Sequence, residues 1–370
     1  MIKFNKNREL TITSLSSQKE CEMLKILCRS ETIQIYLSKE EAFLEIKKQY
    51  HQPHRFYHNW ENHILPLFEL IEEIGDGEIK FYMTWTLLFH DIVYNPKSIA
   101  NEQNSAIYFS DFVSRHDFRL LETEIEVIDF LIRNTDYNIQ EIPSKKRQQN
   151  LGVNLERLSA IFRKLDFSYL RRPDFIDIEK LLFKEYQFMD WFEYRKKRIS
   201  FLQDVRNKNI TELISVLENV GIHRSCRYLA NLEPKIGVFA GSFKPFHIGH
   251  LNILEQAEKV FDKVIIAQGK NTDKTNVKSY ELPKSVQHYQ YIEYDGLLSE
   301  FLDSFQYPVT LIRGLRNGND LENEKDLQAW LEINSVCYFV SPREFQHISS
   351  SSIRSLEEKF PELVSQYLVE

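Results

Sequence analysis

The chain has 370 residues, 42% of them hydrophobic and 27% charged, which is too long for one ordinary domain and suits two soluble globular domains with a core each. A formal net charge of −7 argues against a general nucleic-acid or membrane-surface role, although local basic spots could still bind phosphate. Cys21, Cys28, Cys226 and Cys337 form neither a C-x-x-C pair nor a zinc pattern, and with no apolar signal core at the start and no run near the ~18 residues of a membrane span, they read as reduced thiols of a cytoplasmic protein.

Residues 17 to about 208 read as helical. The runs ILPLFELIEEI (64–74), TWTLLFHDIVY (84–94), LLETEIEVIDFLIRN (120–134) and NLERLSAIFRKLDFSYL (154–170) repeat apolar residues at three- and four-residue spacing. Charged, turn-forming stretches such as EIPSKKRQQNLG (141–152) separate them. Within this half, FHDIVYNP (89–96) sets His90 beside Asp91, one nitrogen and one carboxylate that suit a divalent metal. The plainer alternative is a capping Asp next to a partly buried His. Asp166 interrupts an apolar helical run, where a carboxylate is costly unless paired or metal-bound. It reads as a third ligand, with His58 or His63 of RFYHNWENHI (55–64) as a fourth.

A helical linker is expected over 209–233. From Pro234 onward, short apolar strands alternate with helices. The strands are IGVFA (236–240), KVIIAQG (263–269), VTLIRG (309–314) and SVCYFV (335–340), and the helices are placed at 249–261, 296–305, 320–334 and 351–368. This alternation predicts a parallel sheet covered by helices. The expected architecture is therefore two domains: an all-α domain over 1–208 and an α/β, Rossmann-like domain over 234–370.

Ligands of parallel α/β sheets bind beyond the carboxyl ends of the strands, and three polar segments fall there. GSFKPFHIGH (241–250) offers Gly241 for a tight exit and Gly249 for close backbone approach. The following helix points its free N–H groups at an anion, with His247 and His250 as hydrogen-bond donors. RGLRNGNDLENE (313–324) brings Arg313 and Arg316, and ISSSSIRSL (348–356) brings hydroxyls at another helix start. Singly, each has a bland reading as a surface loop, a solvated face or a helix cap. Together, at the strand ends of one domain, they read as a triphosphate site.

With G-[ST]-F before it, H-x-G-H is the signature of the nucleotidyltransferase superfamily. More narrowly, the segments GSFKPFHIGH, EKVFDKVIIA (258–267), YDGLLSEFL (294–302), RGLRNGNDLENE and ISSSSIR resemble phosphopantetheine adenylyltransferase. The resemblance implies adenylyl transfer from ATP with Mg²⁺ to 4′-phosphopantetheine, without a covalent enzyme intermediate. It implies that His250 stabilises the α-phosphate, that Ser242 helps bind the substrate phosphate, and that Gly241, Phe243 and Gly249 belong to the same binding loop. It implies contact of Arg313 with substrate or phosphate, nucleotide binding by Arg316 and Glu324, and triphosphate contacts from Ser349, Ser350 and Ser351. His247 takes the first H-x-G-H position. A lysine of KNTDKTNVK (270–278), Lys274 or Lys278, would neutralise phosphate charge. Two features depart from the pattern: Lys244 stands where the family usually has aspartate, and SYELPKSVQHYQ (279–290) is shorter than usual. Another phosphate monoester acceptor, or a cytidylyl donor, stays open.

The helical half resembles the HD superfamily of metal-dependent phosphohydrolases, on YHNWENH (57–63) beside that family's Y-H-N-x-x-H start, the His90–Asp91 pair, N-E-x-x-S-A and KEYQFMDWFEYRKKRISFLQDV (184–205). The resemblance implies that His63, His90, Asp91 and Asp166 hold a divalent metal such as Mn²⁺, Co²⁺ or Fe²⁺, and that His58 orients a ligand or donates a proton. His58 and His63 are five apart where the family has four, and Asn138 stands where it usually has histidine. The expected protein is thus a two-headed enzyme acting on small molecules, with no nucleic-acid or membrane partner. The alternative is a single nucleotidyltransferase carrying a regulatory or degenerate HD half. The resemblance is compatible with a homo-oligomer, whose usual contacts the fused half could block.

Overall fold

The computed structural model describes residues 3–4, 10–11, 18–29, 33–136, 142–207, 216–270, 280–357 and 359–369. Asn138, Lys274 and Lys278 lie outside them. The chain divides into two compact units: Met1–Ile178 with Phe201–Cys226, and Glu179–Ser200 with Arg227–Glu370.

In the first unit, β1 (Lys3–Phe4) and β2 (Leu10–Thr11) form a short antiparallel pair. There follow α1 (Gln18–Cys28), α2 (Ile33–Gln49), a π-helical turn at Trp60–Ile64, α3 (Leu65–Glu72), α4 (Gly77–Phe89), α5 (Asn101–Arg115), α6 (Glu122–Arg133), α7 (Lys145–Leu151) and α8 (Leu155–Asp166). Asp76 starts α4 by accepting from the Glu78 and Ile79 N–H groups, and Asn154 starts α8 by accepting from that of Arg157. From Phe81 to Phe89 every residue of α4 is buried, which marks the central helix of the bundle. Its two threonines are tolerated because Thr84 and Thr86 donate to the carbonyls of Lys80 and Tyr82, both at 2.8 Å. This core-bound helix delivers His90 and Asp91 at its carboxyl end.

Helices α9 (Phe175–Glu185), α10 (Trp191–Asn207) and α11 (Val216–Asn231) each run through the division between units. Residues 179–200, grouped by sequence with the helical half, thus cluster with the α/β unit. Lys263 is fully buried, and its Nζ donates to the carbonyls of Gln187 and Met189, the latter at 2.9 Å. The Tyr307 hydroxyl donates to Asp190 at 2.6 Å. Burial, opposed by the charge of Asp190, pushes the Lys263 ammonium down to about 7.

The rest of the second unit comprises β3 (Ile236–Gly241), α12 (Ile248–Ala257), β4 (Lys263–Gly269), β5 (Gln290–Tyr294), α13 (Leu298–Asp303), β6 (Val309–Leu315), α14 (Gly318–Trp330), β7 (Val336–Val340), α15 (Ser350–Glu357) and α16 (Pro361–Ser365). The five strands form one parallel sheet in the order β5-β4-β3-β6-β7. The α/β expectation holds, with two corrections. Strand β5 was not foreseen, because QYIEY is a short edge strand of alternating exposure rather than an apolar run. The helix expected over 351–368 is two helices, since Pro361 begins a new one and pushes Phe360 out of helical geometry (φ −141°, ψ 61°). The chain winds from β3 outward through β4 and β5, then crosses back to β6 and β7. The switch point, and hence the crevice, lies between β3 and β6.

Candidate active site

The carboxyl ends of β3 and β6 open a cavity of about 230 Å³. Its polar lining comes from His247, His250, Arg313, Arg316, Ser341, Ser349 and Ser350, over an apolar floor that includes Phe239, Ile253 and Ile348. Gly249 lies in the first turn of α12, where a Cβ would sit 3.1 Å from both Cε1 and Nδ1 of His247. Glycine therefore makes room for that ring. The two imidazoles stack with centroids 3.6 Å apart and planes 19° apart.

The His247 N–H donates to His250 Nδ1 at 3.3 Å. With Nδ1 accepting, the neutral His250 carries its proton on Nε2, ready to donate. Burial, and then the neighbouring His247, hold His250 well below the ordinary histidine range. Burial, and then the Arg316 charge, push His247 down to about 4. At neutral pH both rings are uncharged. His247 Nδ1 is buried and has no hydrogen-bond partner among the described residues, an unusual vacancy for a buried polar atom.

The guanidiniums are held by carboxylates. Arg313 donates through Nε and Nη2 to Glu324 and through Nη1 to the Ala240 carbonyl at 2.9 Å, so it also ties β6 to the end of β3. Arg316 is gripped by Asp320, with Nε–Oδ2 at 2.9 Å and Nη2–Oδ1 at 3.0 Å. The serine run is tied back to the signature loop. Ser350 Oγ donates to the Pro245 carbonyl at 3.1 Å, and Arg354 donates to the Lys244 carbonyl and to Ser351 Oγ. Ser349 Oγ accepts from the Ser352 N–H at 3.0 Å and caps α15.

Residues 238–356 match the family described as cytidylyltransferase-like. The phosphopantetheine adenylyltransferase of Malacoplasma penetrans is 34% identical over 140 residues, which span 34% of this chain and 92% of the relative. That of Cytophaga hutchinsonii is 35% identical over 147 residues, 36% of this chain and 96% of the relative. That of Carboxydothermus hydrogenoformans is 34% identical over 137 residues, 33% and 82% respectively. Through its C-terminal domain, the chain belongs to the phosphopantetheine adenylyltransferase family.

Of the residues singled out for a phosphopantetheine adenylyltransferase-like site, the cavity gathers Gly241, Phe243, His247, Gly249, His250, Arg313, Arg316, Ser349 and Ser350. Ser242, Glu324 and Ser351 are not in its lining. Ser242 is exposed, with its carbonyl accepting from Gln268 Nε2 at 2.6 Å. Glu324 acts on Arg313. Phe243 is 2% exposed and its ring packs in the core, with the backbone in the left-handed region (φ 49°) at the loop's turn. Sequence reasoning missed Gln268, Ser341 and Asp320. Gln268 reads as an ordinary strand residue, and only the register opposite Gly241 brings it to the loop.

The helical unit lies outside the part shared with these phosphopantetheine adenylyltransferase relatives, and it has a polar cluster of its own. His63 Nε2 lies 3.0 Å from His90 Nε2 and 3.8 Å from Asp166 Oδ1. Asp91 Oδ2 is 3.2 Å from His90 Nε2 and 3.7 Å from His63 Nε2. His58 Nε2 stands 4.0 Å from the same oxygen. His63, His90 and Asp166 each offer a ligand atom within 4.8 Å of the others. The five-residue spacing of His58 and His63 has a local cause. His58 precedes the helix, and His63 sits in the π-helical turn, where the Ile64 N–H donates to the Asn59 carbonyl (3.2 Å) five residues back.

His90 Nδ1 donates to the Leu87 carbonyl at 2.9 Å, which leaves Nε2 facing the cluster. Two imidazole Nε2 atoms at 3.0 Å need a shared proton or a cation between them. Burial holds His63 low and Asp166 high. At His90, burial works against protonation, but the Asp91 charge and hydrogen bond prevail and raise it. His63, His90 and Asp166, two imidazoles and one carboxylate, fit a divalent transition metal, with Asp91 beside both imidazoles. Arg55, 4% exposed, secures the neighbouring backbone by donating to the carbonyls of Asp91 (2.7 Å), Ile92 (2.9 Å) and His58 (3.2 Å). No sequence pattern announced it.

No helix among the described residues is long and apolar enough to cross a membrane.

Proposed function

We propose that the C-terminal domain transfers the adenylyl group of ATP to 4′-phosphopantetheine, a step of coenzyme A biosynthesis, and releases pyrophosphate. The observation that carries this reading is the stacked, neutral His247–His250 pair at the start of α12, facing Arg316 and the Ser349–Ser350 helix start across one cavity. An oxygen of the acceptor phosphate would attack the α-phosphorus. The bond from that phosphorus to the oxygen bridging to the β-phosphate would break, and pyrophosphate would leave with the electron pair. A phosphate monoester needs no general base for this attack. His250 Nε2–H would donate to the α-phosphoryl oxygen as charge builds there. The α12 and α15 N-termini, with Arg316, would hold the outer phosphates. Mg²⁺ would arrive on the ATP phosphates, because the described lining offers imidazoles, guanidiniums and hydroxyls but no carboxylate cage. Incubating the chain with ATP, Mg²⁺ and 4′-phosphopantetheine should yield the adenylylated acceptor by mass spectrometry. Absence of that product alongside tight ATP binding would overturn the acceptor assignment and direct attention to Lys244.

The close approach of two buried imidazoles to two carboxylates favours a second activity, metal-dependent hydrolysis of a phosphate ester in the helical unit. His63, His90, Asp91 and Asp166 would hold the metal, which when bound would acidify a water. The Leu87 carbonyl would orient His90 through Nδ1, and His58 beside Asp91 would hold or pass a proton. A regulatory helical half is the alternative, and metal content decides between them.

A further inference from the structure

The end of the chain returns to the signature loop. The Ile248 N–H donates to the Tyr367 carbonyl at 3.0 Å, and His247 forms an isolated antiparallel bridge with Leu368. Ile248 is the first residue of α12, so its N–H has no acceptor within the helix. The tail supplies one. Side chains act in the same direction. Ile248, Tyr367 and Leu368 pack with Ile348 and Ile353, the two residues that bracket the serine run. Val369 packs on the main core that contains Phe243 and Phe246. One short tail therefore touches both segments that face the phosphates.

The consequence runs through backbone geometry. His247 precedes α12 in an extended conformation (φ −137°, ψ 169°), and its N–H reaches His250 Nδ1 three residues on. That bond fixes the His250 tautomer, and it requires His247 to stay extended. The bridge to Leu368 holds it so. We propose that Tyr367–Val369 is a positioning element of the transferase site, setting His247 and thereby the orientation of His250 relative to the serine loop. The proposal rests on the transferase reading given above. None of the three tail residues is in the cavity lining, so they act through the loop.

The contact can be cut at a single atom. Ile248→Pro deletes the donor that the tail carbonyl accepts. Proline is well tolerated at the first helical position, and the extended His247 is the conformation that precedes proline. Ile248→Ala keeps the N–H while removing the same apolar contact, and serves as the comparison. In pyrophosphate release, Ile248→Pro should have a kcat at least tenfold below that of Ile248→Ala, with KM for ATP within threefold. In NMR titration, the His247 and His250 ring signals should shift between the two variants. Equal kcat and superposable histidine signals would overturn the proposal. If the wild type itself releases no pyrophosphate, the transferase reading fails, and the histidine signals alone still decide whether the tail sets the loop. Should Ile248→Pro fail to fold, deletion of residues 367–370 is read in the same two ways.

Discussion

Acidification should weaken the α/β unit through His247. Its burial beside Arg316 moves the imidazole from the ordinary 6.5 to about 4 in the folded chain. Between those values the unfolded chain binds more protons than the folded one, so stability falls as pH falls and levels off below about 4. At pH 5 the unfolded ring is almost fully protonated and the folded ring about one-tenth protonated, which amounts to a loss of ~2 kcal/mol relative to pH 8. His250, held low by the same burial, titrates in the same direction and deepens the effect. The assay is hydrogen exchange of β3 and β6 amides in the intact chain at pH 5, 6, 7 and 8, corrected for intrinsic rates. His247→Gln is run alongside. Lys263, whose buried ammonium is pushed down to about 7, is common to both chains and cancels. The wild type should lose ~2 kcal/mol more protection than His247→Gln between pH 8 and pH 5. An identical pH slope in the two would refute the reasoning.

Gly249→Ala places a methyl 3.1 Å from two atoms of the His247 ring, so the stack must give by a few tenths of an ångström. A misplaced site of this kind is expected to lose roughly tenfold or more in kcat/KM for pyrophosphate release, while α12 itself gains from the stronger helix former. For the helical unit, the intact chain dialysed against Mn²⁺ or Co²⁺ should retain about one ion per chain by elemental analysis, because His63, His90 and Asp166 converge on one point. His90→Ala and Asp166→Ala should abolish retention and His51→Ala, an exposed control, should not. Retention unchanged by the first two would rule out a metal role for the cluster.

Sequence and structure agree where the signal is local. The apolar spacing around Trp85 and Phe89 marks a buried helix without tertiary information, and IGVFA and KVIIAQG are continuous apolar runs because both faces of a parallel strand are covered. H-x-G-H is legible because the ring pair, its glycine and the helix start lie within a few residues. What was not legible depends on distant partners. Residues 179–200 read as part of the helical half, yet the carbonyls of Gln187 and Met189 serve Lys263 across about 75 residues of chain. Arg313, expected on substrate or phosphate, does line the cavity; what its sequence context did not show is that the Glu324 carboxylate and the Ala240 carbonyl take three of its N–H groups. His58 and His63 stand five apart where the family has four, yet with His58 ahead of the π-helical turn and His63 in it, their ring centroids are 5.1 Å apart. The tail bridge to His247 joins residues more than a hundred positions apart, beyond the reach of any pattern read along the chain.

The most direct test is pyrophosphate release from ATP and Mg²⁺, with and without 4′-phosphopantetheine, by the wild type and by His250→Ala. Removing one donor to developing charge typically costs about a hundred- to a thousandfold in kcat. Acceptor-dependent release that falls by that factor in His250→Ala is the result expected. Release that ignores the acceptor, or that survives the loss of His250, would contradict the account.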